Sequence, residues 1–359
     1  MFAKKNVVAA AALTLVAVAA QAQVTAYGNL DVSVGRKQAV TGYDTNGKAI
    51  KASRTAVDSS DLSDSFIGFK GQEDLGGGLK AIFKLESELA VDNGAALGGT
   101  SAFWSRNATV GLAGGFGTVN LGRFENLFKL EGAAFNPFGS SRTFSTTFGG
   151  TLDLTSGSLA PRESWSNGIS YVSPSLGGLT LSAQYSAKEA ALGNTALYGG
   201  GAVAVAANFV AGPLGLSAVV GELRSTNGVT APAEKTRPWL LGASYDFGAV
   251  KLFGQYGQIK ADDKVTGDSG KFKGFQLGAS VPVSADGAVL VSYGDSKGTE
   301  PGVAGSEKNR DVSLGYTHNL SKRTNVYAAA INERRKDTTA APVQKATITN
   351  FAVGVRHSF

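Results

Sequence analysis

Along most of this chain, larger apolar residues recur at every second position. Leu179, Leu181, Ala183 and Tyr185 alternate with Thr180, Ser182, Gln184 and Ser186. Trp239, Leu241, Ala243, Tyr245 and Phe247 alternate with Gly242, Ser244 and Asp246, and Val312, Leu314 and Tyr316 with Asp311, Ser313 and Thr317. The chain closes with Phe351, Val353, Val355, His357 and Phe359 against Asn350, Ala352, Gly354, Arg356 and Ser358. Successive side chains of a strand point to opposite faces, so this period predicts strands with one apolar face and one small, polar face. Helical periodicity is nearly absent after Gln23.

The alternation places strands over 24–36, 65–71, 79–92, 103–113, 116–124, 163–173, 179–187, 202–211, 214–224, 238–247, 250–260, 271–281, 288–296, 309–318, 323–334 and 347–359. That is about sixteen, on the scale of the ~9–11 residues a tilted membrane strand needs. Their connections alternate in kind. Tight turns such as Gly114-Gly115, Gly212-Pro213 and Gly248-Ala249 take turns with longer polar stretches such as 37–62, 188–201 and 335–346. Short connections at one end and long ones at the other are the signature of an up-and-down outer-membrane barrel. Unpaired strand edges are costly in lipid, so the sheet must close on itself, and a barrel of this size keeps an aqueous lumen. The expected fold is therefore all-β: a 16-stranded antiparallel transmembrane β-barrel. Aromatic residues near strand ends, among them Tyr27, Tyr171, Tyr245, Phe247 and Tyr316, suit girdles at the two membrane interfaces.

Composition sharpens this picture. Charged residues are 17% of 359, below the roughly 25% of soluble globular chains, while 48 glycines with nine prolines suggest strands and turns rather than collagen or disorder. There is no cysteine, and His318 and His357 are the only histidines, which excludes disulfides, thiolate nucleophiles and a His-rich zinc site. No cofactor or metal is expected. Met1 to Ala22 has a basic start at Lys4 and Lys5, an apolar run and a small-residue Ala20-Gln21-Ala22 site, the pattern of a secretory signal peptide. Residues 23–359 are then the barrel domain. The modest basic excess of an exported chain argues against nucleic acid as a partner.

One connection stands apart. Residues 125–161 contain five phenylalanines, among them Phe144 and Phe148, together with many small residues. So much aromatic surface does not suit a solvated loop, and folding into the lumen as a constriction loop accommodates it.

Several strings resemble the general diffusion porins of Gram-negative outer membranes, nearest to the beta-proteobacterial trimeric branch. Val24 to Asp31 (VTAYGNLD) resembles the first strand, Ile67 to Glu86 (IGFKGQEDLGGGLKAIFKLE) the second hairpin, and Arg106 to Arg123 (RNATVGLAGGFGTVNLGR) the hairpin before the constriction loop. Gly315 to Tyr327 (GYTHNLSKRTNVY) and Gly354 to Phe359 (GVRHSF) resemble the last hairpin and terminal strand. The resemblance implies a homotrimer in outer-membrane lipid and lipopolysaccharide, each protomer a water-filled channel for passive diffusion of small hydrophilic solutes and ions. It also implies that the strand ending at Phe359 is read by the outer-membrane assembly machinery.

Lumenal charge then sets selectivity. If Ile67 and Phe69 face lipid, Phe66 and Lys70 face the lumen, as do Lys80, Lys84, Glu86 and Glu88, because a cation on the lipid face costs ~2–4 kcal/mol at midplane. Arg106, Arg123 and Arg162 flank the constriction loop, which itself carries Glu125, Glu131, Arg142 and Asp153. By resemblance Arg106 occupies the place of a constriction arginine, whereas Phe66 stands where related anion-selective porins carry arginine. A basic ladder of Lys70, Lys84, Arg106 and Arg162 facing the loop acids is expected to give mild anion preference. The alternative is a substrate-specific channel for organic acids, phosphate or sugars on the same barrel, with Phe66, Phe144 and Phe148 as an aromatic track. Neither histidine is placed beside a nucleophile and an orienting acid, so no enzyme is expected. Lys37, Lys48, Lys51 and Lys297 are expected as loop charges facing lipopolysaccharide or solvent, and Asp58, Asp61 and Asp64 as solvated loop acids.

Overall fold

The computed structural model describes residues 23–97, 102–147, 163–187, 201–225, 234–263, 267–300 and 302–359. The expected signal peptide, 1–22, lies outside these residues. The chain runs through β1 (Gln23–Tyr43), β2 (Ala49–Ser59), β3 (Phe66–Gly76), β4 (Leu79–Ala90), a two-residue β5 (Ala95–Ala96), β6 (Asn107–Gly114) and β7 (Gly117–Glu125). Helix α1 (Leu127–Ala134) follows, then β8 (Ser164–Val172), β9 (Leu179–Ser186), β10 (Ala202–Ala211), β11 (Leu214–Ser225) and β12 (Glu234–Asp246). β13 (Lys251–Asp263), β14 (Ser269–Pro282), β15 (Gly287–Thr299), β16 (Glu307–Asn319), β17 (Thr324–Asp337) and β18 (Gln344–Ser358) complete it.

Neighbours in the wall are antiparallel throughout, and β18 returns to pair with β1, Asn29 opposite Ser358 through Arg36 opposite Phe351. On its other side β1 pairs first with β3, from Gln23 to Asn29, and then with β2, from Val32 to Tyr43. β2 and β3 thus share one wall position end to end, and β5 is only an appendage of β4, so the closed barrel has sixteen strand positions. The polar stretch expected as a loop over 37–62 is largely strand, because β1 runs on to Tyr43 and β2 returns along it. Beyond the apolar band a hairpin needs backbone pairing but no apolar face, so alternation gives no sign of it there.

Outward positions carry exposed Val203, Val205, Leu241, Leu277, Leu314 and Val353, while inward ones carry buried Ser182, Gln184, Ser217, Gln276, Ser292 and Ser313. This inverts a soluble core: the apolar face meets lipid and the polar face meets water or the internal loop. The break between β2 and β3 is braced from β1. The fully buried Asp31 carboxylate accepts the Leu62 and Ser63 amides at 2.8 and 2.6 Å and the Tyr327 hydroxyl at 2.7 Å.

After β7 the chain turns into the lumen. Asn126 caps α1, its side chain accepting the Lys129 amide at 2.8 Å, and Gln255 on β13 donates to the Gly132 and Phe135 carbonyls at 2.9 and 2.7 Å. Side-chain-free patches of wall receive the ring side chains of the loop. A Cβ on Gly242 would lie 2.7 Å from the Phe135 ring, and one on Gly315 2.8 Å from Phe138. The described part of the 125–161 connection, up to Thr147, therefore lies against the inner wall. Gly242→Leu is expected to unseat Phe135, cost ~1–3 kcal/mol by overpacking, and open the loop to proteolysis, which cleavage of the folded barrel in detergent would reveal.

Candidate functional site

Charge gathers where α1, β4 and the 60–65 break converge. Alternation along β4 turns Lys84, Glu86 and Glu88 inward, and Asn107 at the start of β6 stands opposite Glu86. Glu86 is buried and accepts the Tyr27 hydroxyl at 2.6 Å, an amide hydrogen of Asn107, and Lys84 at 3.0 Å. Beside it, Arg106 pairs with Asp64, with Glu125 at 2.9 Å and with Glu86 at 3.6 Å. The Arg106 guanidinium lies 4.6 Å from the Phe66 ring centroid, so Phe66 serves as a platform for that arginine.

From α1, Lys129 reaches Asp64 at 2.8 Å, Glu125 at 2.9 Å and Glu163 at 3.2 Å. Arg142 reaches Glu163 at 2.6 Å, Glu88 at 2.8 Å and Asp64 at 3.4 Å. Asp64 therefore touches three cations. Burial alone would raise its carboxyl pKa, but Lys129, Arg142 and Arg106 outweigh that and hold it well below the usual carboxylate range. The whole is a lattice of four cations (Lys84, Arg106, Lys129, Arg142) and five carboxylates (Asp64, Glu86, Glu88, Glu125, Glu163), in which every carboxylate is shared with a cation.

Of the residues singled out from the sequence, Lys84, Glu86, Glu88, Arg106, Glu125 and Arg142 come together here. Lys70 lies opposite Lys84 across β3 and β4, its ammonium 4.7 Å from the Tyr27 ring centroid. Arg123 sits at a β7 irregularity and donates to the Ser105 carbonyl and the Ser166 hydroxyl, both at 2.7 Å. Glu131 is tied to the wall, accepting from Asn208 at 2.8 Å and Ser217 at 2.7 Å. Arg162, Asp153 and Phe148 lie outside the described residues. Sequence reasoning missed Lys129 and Glu163 and read Asp64 as solvated. The signal for Lys129 is Asn126 ahead of LFKLEGAA, a helix cap before good helix formers, with Glu125 four residues earlier. Lys37, expected as a loop charge, instead pairs with Asp61 and, at 3.2 Å, with Asp58.

Two cavities adjoin the lattice. One of about 700 Å³ lies under α1 and is lined by Lys70, Lys84, Asn107, Asn120, Glu125 and Glu131 among others. The other, about 250 Å³, is lined by Asp64, Phe66, Arg106, Lys322, Arg323 and Arg356 among others. Phe144 is fully buried and Phe66 lies beneath Arg106, so neither presents a bare aromatic track to a solute.

A closed barrel with an apolar exterior, a polar interior and a charged loop inside it is a membrane channel of the outer-membrane type. The Gram-negative porin family profile matches residues 9–338. Outer membrane porin protein 32 of Delftia acidovorans is 34% identical over 99% of this chain and 100% of its own length. The major outer membrane protein P.IB of Neisseria lactamica is 31% identical over 99% and 100%. Among solved structures, the anion-selective porin from Comamonas acidovorans superposes with a TM-score of 0.77 at 29% identity, covering 94% of this chain and 100% of that one. The chain belongs to the Gram-negative porin family and forms a barrel in the outer membrane, where it provides a passive diffusion channel.

Proposed function

We propose that the channel passes small hydrophilic solutes with a mild preference for anions. The observation that carries this reading is an asymmetry of pairing. Each carboxylate of the lattice is shared with a cation, and Glu131, a further carboxylate lining the larger cavity, is held by the neutral Asn208 and Ser217; against it stand four cations lining the two cavities, Lys70, Lys322, Arg323 and Arg356, that have no carboxylate partner among the described residues. Paired charges largely cancel at a distance, so the unpaired cations dominate the potential met by a permeating ion. The similarity to a porin whose structure is described as anion-selective supports the same direction. The protein acts as a channel and not as an enzyme: of its two histidines, His318 is half-buried beside Tyr316 at 3.2 Å and His357 is exposed beside Thr324 at 2.8 Å, neither next to a nucleophile and an orienting acid. A homotrimer, contact with lipopolysaccharide, and recognition of the strand ending at Phe359 by the assembly machinery complete the proposal, on family resemblance.

The test is the zero-current potential of the reconstituted protein across a potassium chloride gradient. Its sign is expected to report chloride preference, and Lys70→Glu with Arg356→Glu is expected to reverse it while ohmic conductance persists. A cation-selective native channel would overturn the assignment of these residues.

A further inference from the structure

Where the inner wall meets water it is mostly small and polar, and the large exposed apolar side chains sit mostly on the outer face. Leu130 of α1 and Val172, the last residue of β8, depart from this. They are 44% and 39% exposed, and both line the cavity of about 700 Å³ under α1. Val172 shares the inward face because the buried Ser170 stands two residues before it. Ile82, half-buried, takes the inward position between Lys80 and Lys84 on β4, and Leu127 lies one turn before Leu130 on the same face of α1. Three elements thus present an apolar ledge to one aqueous cavity.

Such a ledge needs an explanation. Apolar surface turned to water is unfavourable, and a wall that only has to be wet has no need of it. Nor is Leu130 required to seat the helix. Its neighbour Phe128 does that, fully buried in one cluster with Ala204, Val219 and Leu240 of the wall.

Two ammonium groups line the same cavity. Lys70 and Lys84 stand opposite each other across β3 and β4. Lys84 shares Glu86 at 3.0 Å, whereas Lys70 rests on the Tyr27 ring at 4.7 Å and has no carboxylate partner among the described residues. The acids of the cavity are already engaged, Glu125 by Arg106 and Lys129, both at 2.9 Å, and Glu131 by Asn208 and Ser217. The cavity therefore combines an apolar side with one uncompensated positive charge.

We propose that this cavity binds a small amphiphilic monoanion, an aryl or short-chain alkyl carboxylate, its charge at Lys70 and its apolar body on Leu130, Val172 and Ile82. A bare inorganic anion would leave the ledge wet, and a neutral apolar solute would leave Lys70 unanswered. The volume is in the range of sites for small organic molecules. The assignment rests on the reading of the channel as mildly anion-preferring and deepens it: the cavity is a stop on the diffusion path at which one class of anion dwells longer than chloride. Salt weakens the attraction to Lys70.

The experiment records single-channel current of the full mature chain in a planar bilayer, in potassium chloride, with phenylacetate, acetate or benzyl alcohol added. Phenylacetate is expected to interrupt the current at a concentration about tenfold or more below either of the others, because each control lacks one half of the match. Leu130→Ser is expected to remove most of that difference and Leu130→Met to keep it, while Lys70→Gln should bring phenylacetate down to the level of benzyl alcohol. Equal sensitivity of the native channel to phenylacetate and acetate, or to phenylacetate and benzyl alcohol, overturns the proposal without recourse to any variant. Undiminished sensitivity in Leu130→Ser overturns it as well. The zero-current potential of the native channel is read alongside. A cation preference there counts against the anion reading itself, whereas a chloride preference with no distinction among the three additives sinks the amphiphile site alone.

Discussion

Lys129→Ala is expected to destabilise the barrel by ~3–5 kcal/mol, because removing one partner of a buried ion network leaves uncompensated charge. Lys129 is buried and holds Asp64, Glu125 and Glu163 at once. Without it, three cations face the five carboxylates of the lattice, so the zero-current potential should move toward cations in the same variant. Lys129→Arg should retain most of both properties, and Asp64→Asn combined with Lys129→Met should cost less than the sum of the two single changes, since they share an interaction. Denaturant unfolding in detergent, followed by tryptophan fluorescence, supplies the stability scale. Full retention of stability and selectivity by Lys129→Ala would mean that the lattice is not what seats α1.

The barrel was legible because lipid imposes a strict period. Positions such as Leu314 and Val353 must be apolar and Ser313 and Ala352 need not be, so alternation marks both the strand and its face. Above the membrane that constraint lapses, which is why the β1–β2 extension through Lys37 and Lys51 reads as loop although it is paired strand. The 60–65 break is hidden for a different reason: β2 and β3 are collinear only because Asp31, about thirty residues earlier, ties down the turn.

The site was legible on the strands and obscure on the loop. Lys84, Glu86 and Arg106 follow from parity along β4 and from the hairpin that resembles the porins. Parity says nothing about partners, however. Glu131 has the right charge and the right loop, yet the polar wall residues Asn208 and Ser217 take it, and Asp64 gains its role from three cations far along the chain, at Arg106, Lys129 and Arg142. Such convergence is a property of the closed barrel, and local spacing carries no trace of it beyond Glu125 and Lys129.

Asp31→Ala should match the Lys129 change in size by acting one step back from the charges. The alanine leaves the Leu62 and Ser63 amides and the Tyr327 hydroxyl without their acceptor in a buried place, and hydrogen bonds to a charged group contribute ~1.5–3 kcal/mol each. A total loss of ~3–5 kcal/mol is expected once the turn relaxes toward water. Tyr327→Phe, which removes only one of the three donors, should cost about a third as much. Because the released turn carries Asp64, the anchor shared by Arg106, Lys129 and Arg142, the Asp31 variant should also show noisy, multi-level conductance where Tyr327→Phe stays quiet. Equal stability of the two variants would show that the amides of the break do not depend on Asp31. Noise in both at equal strength would trace it to the β1–β17 contact instead.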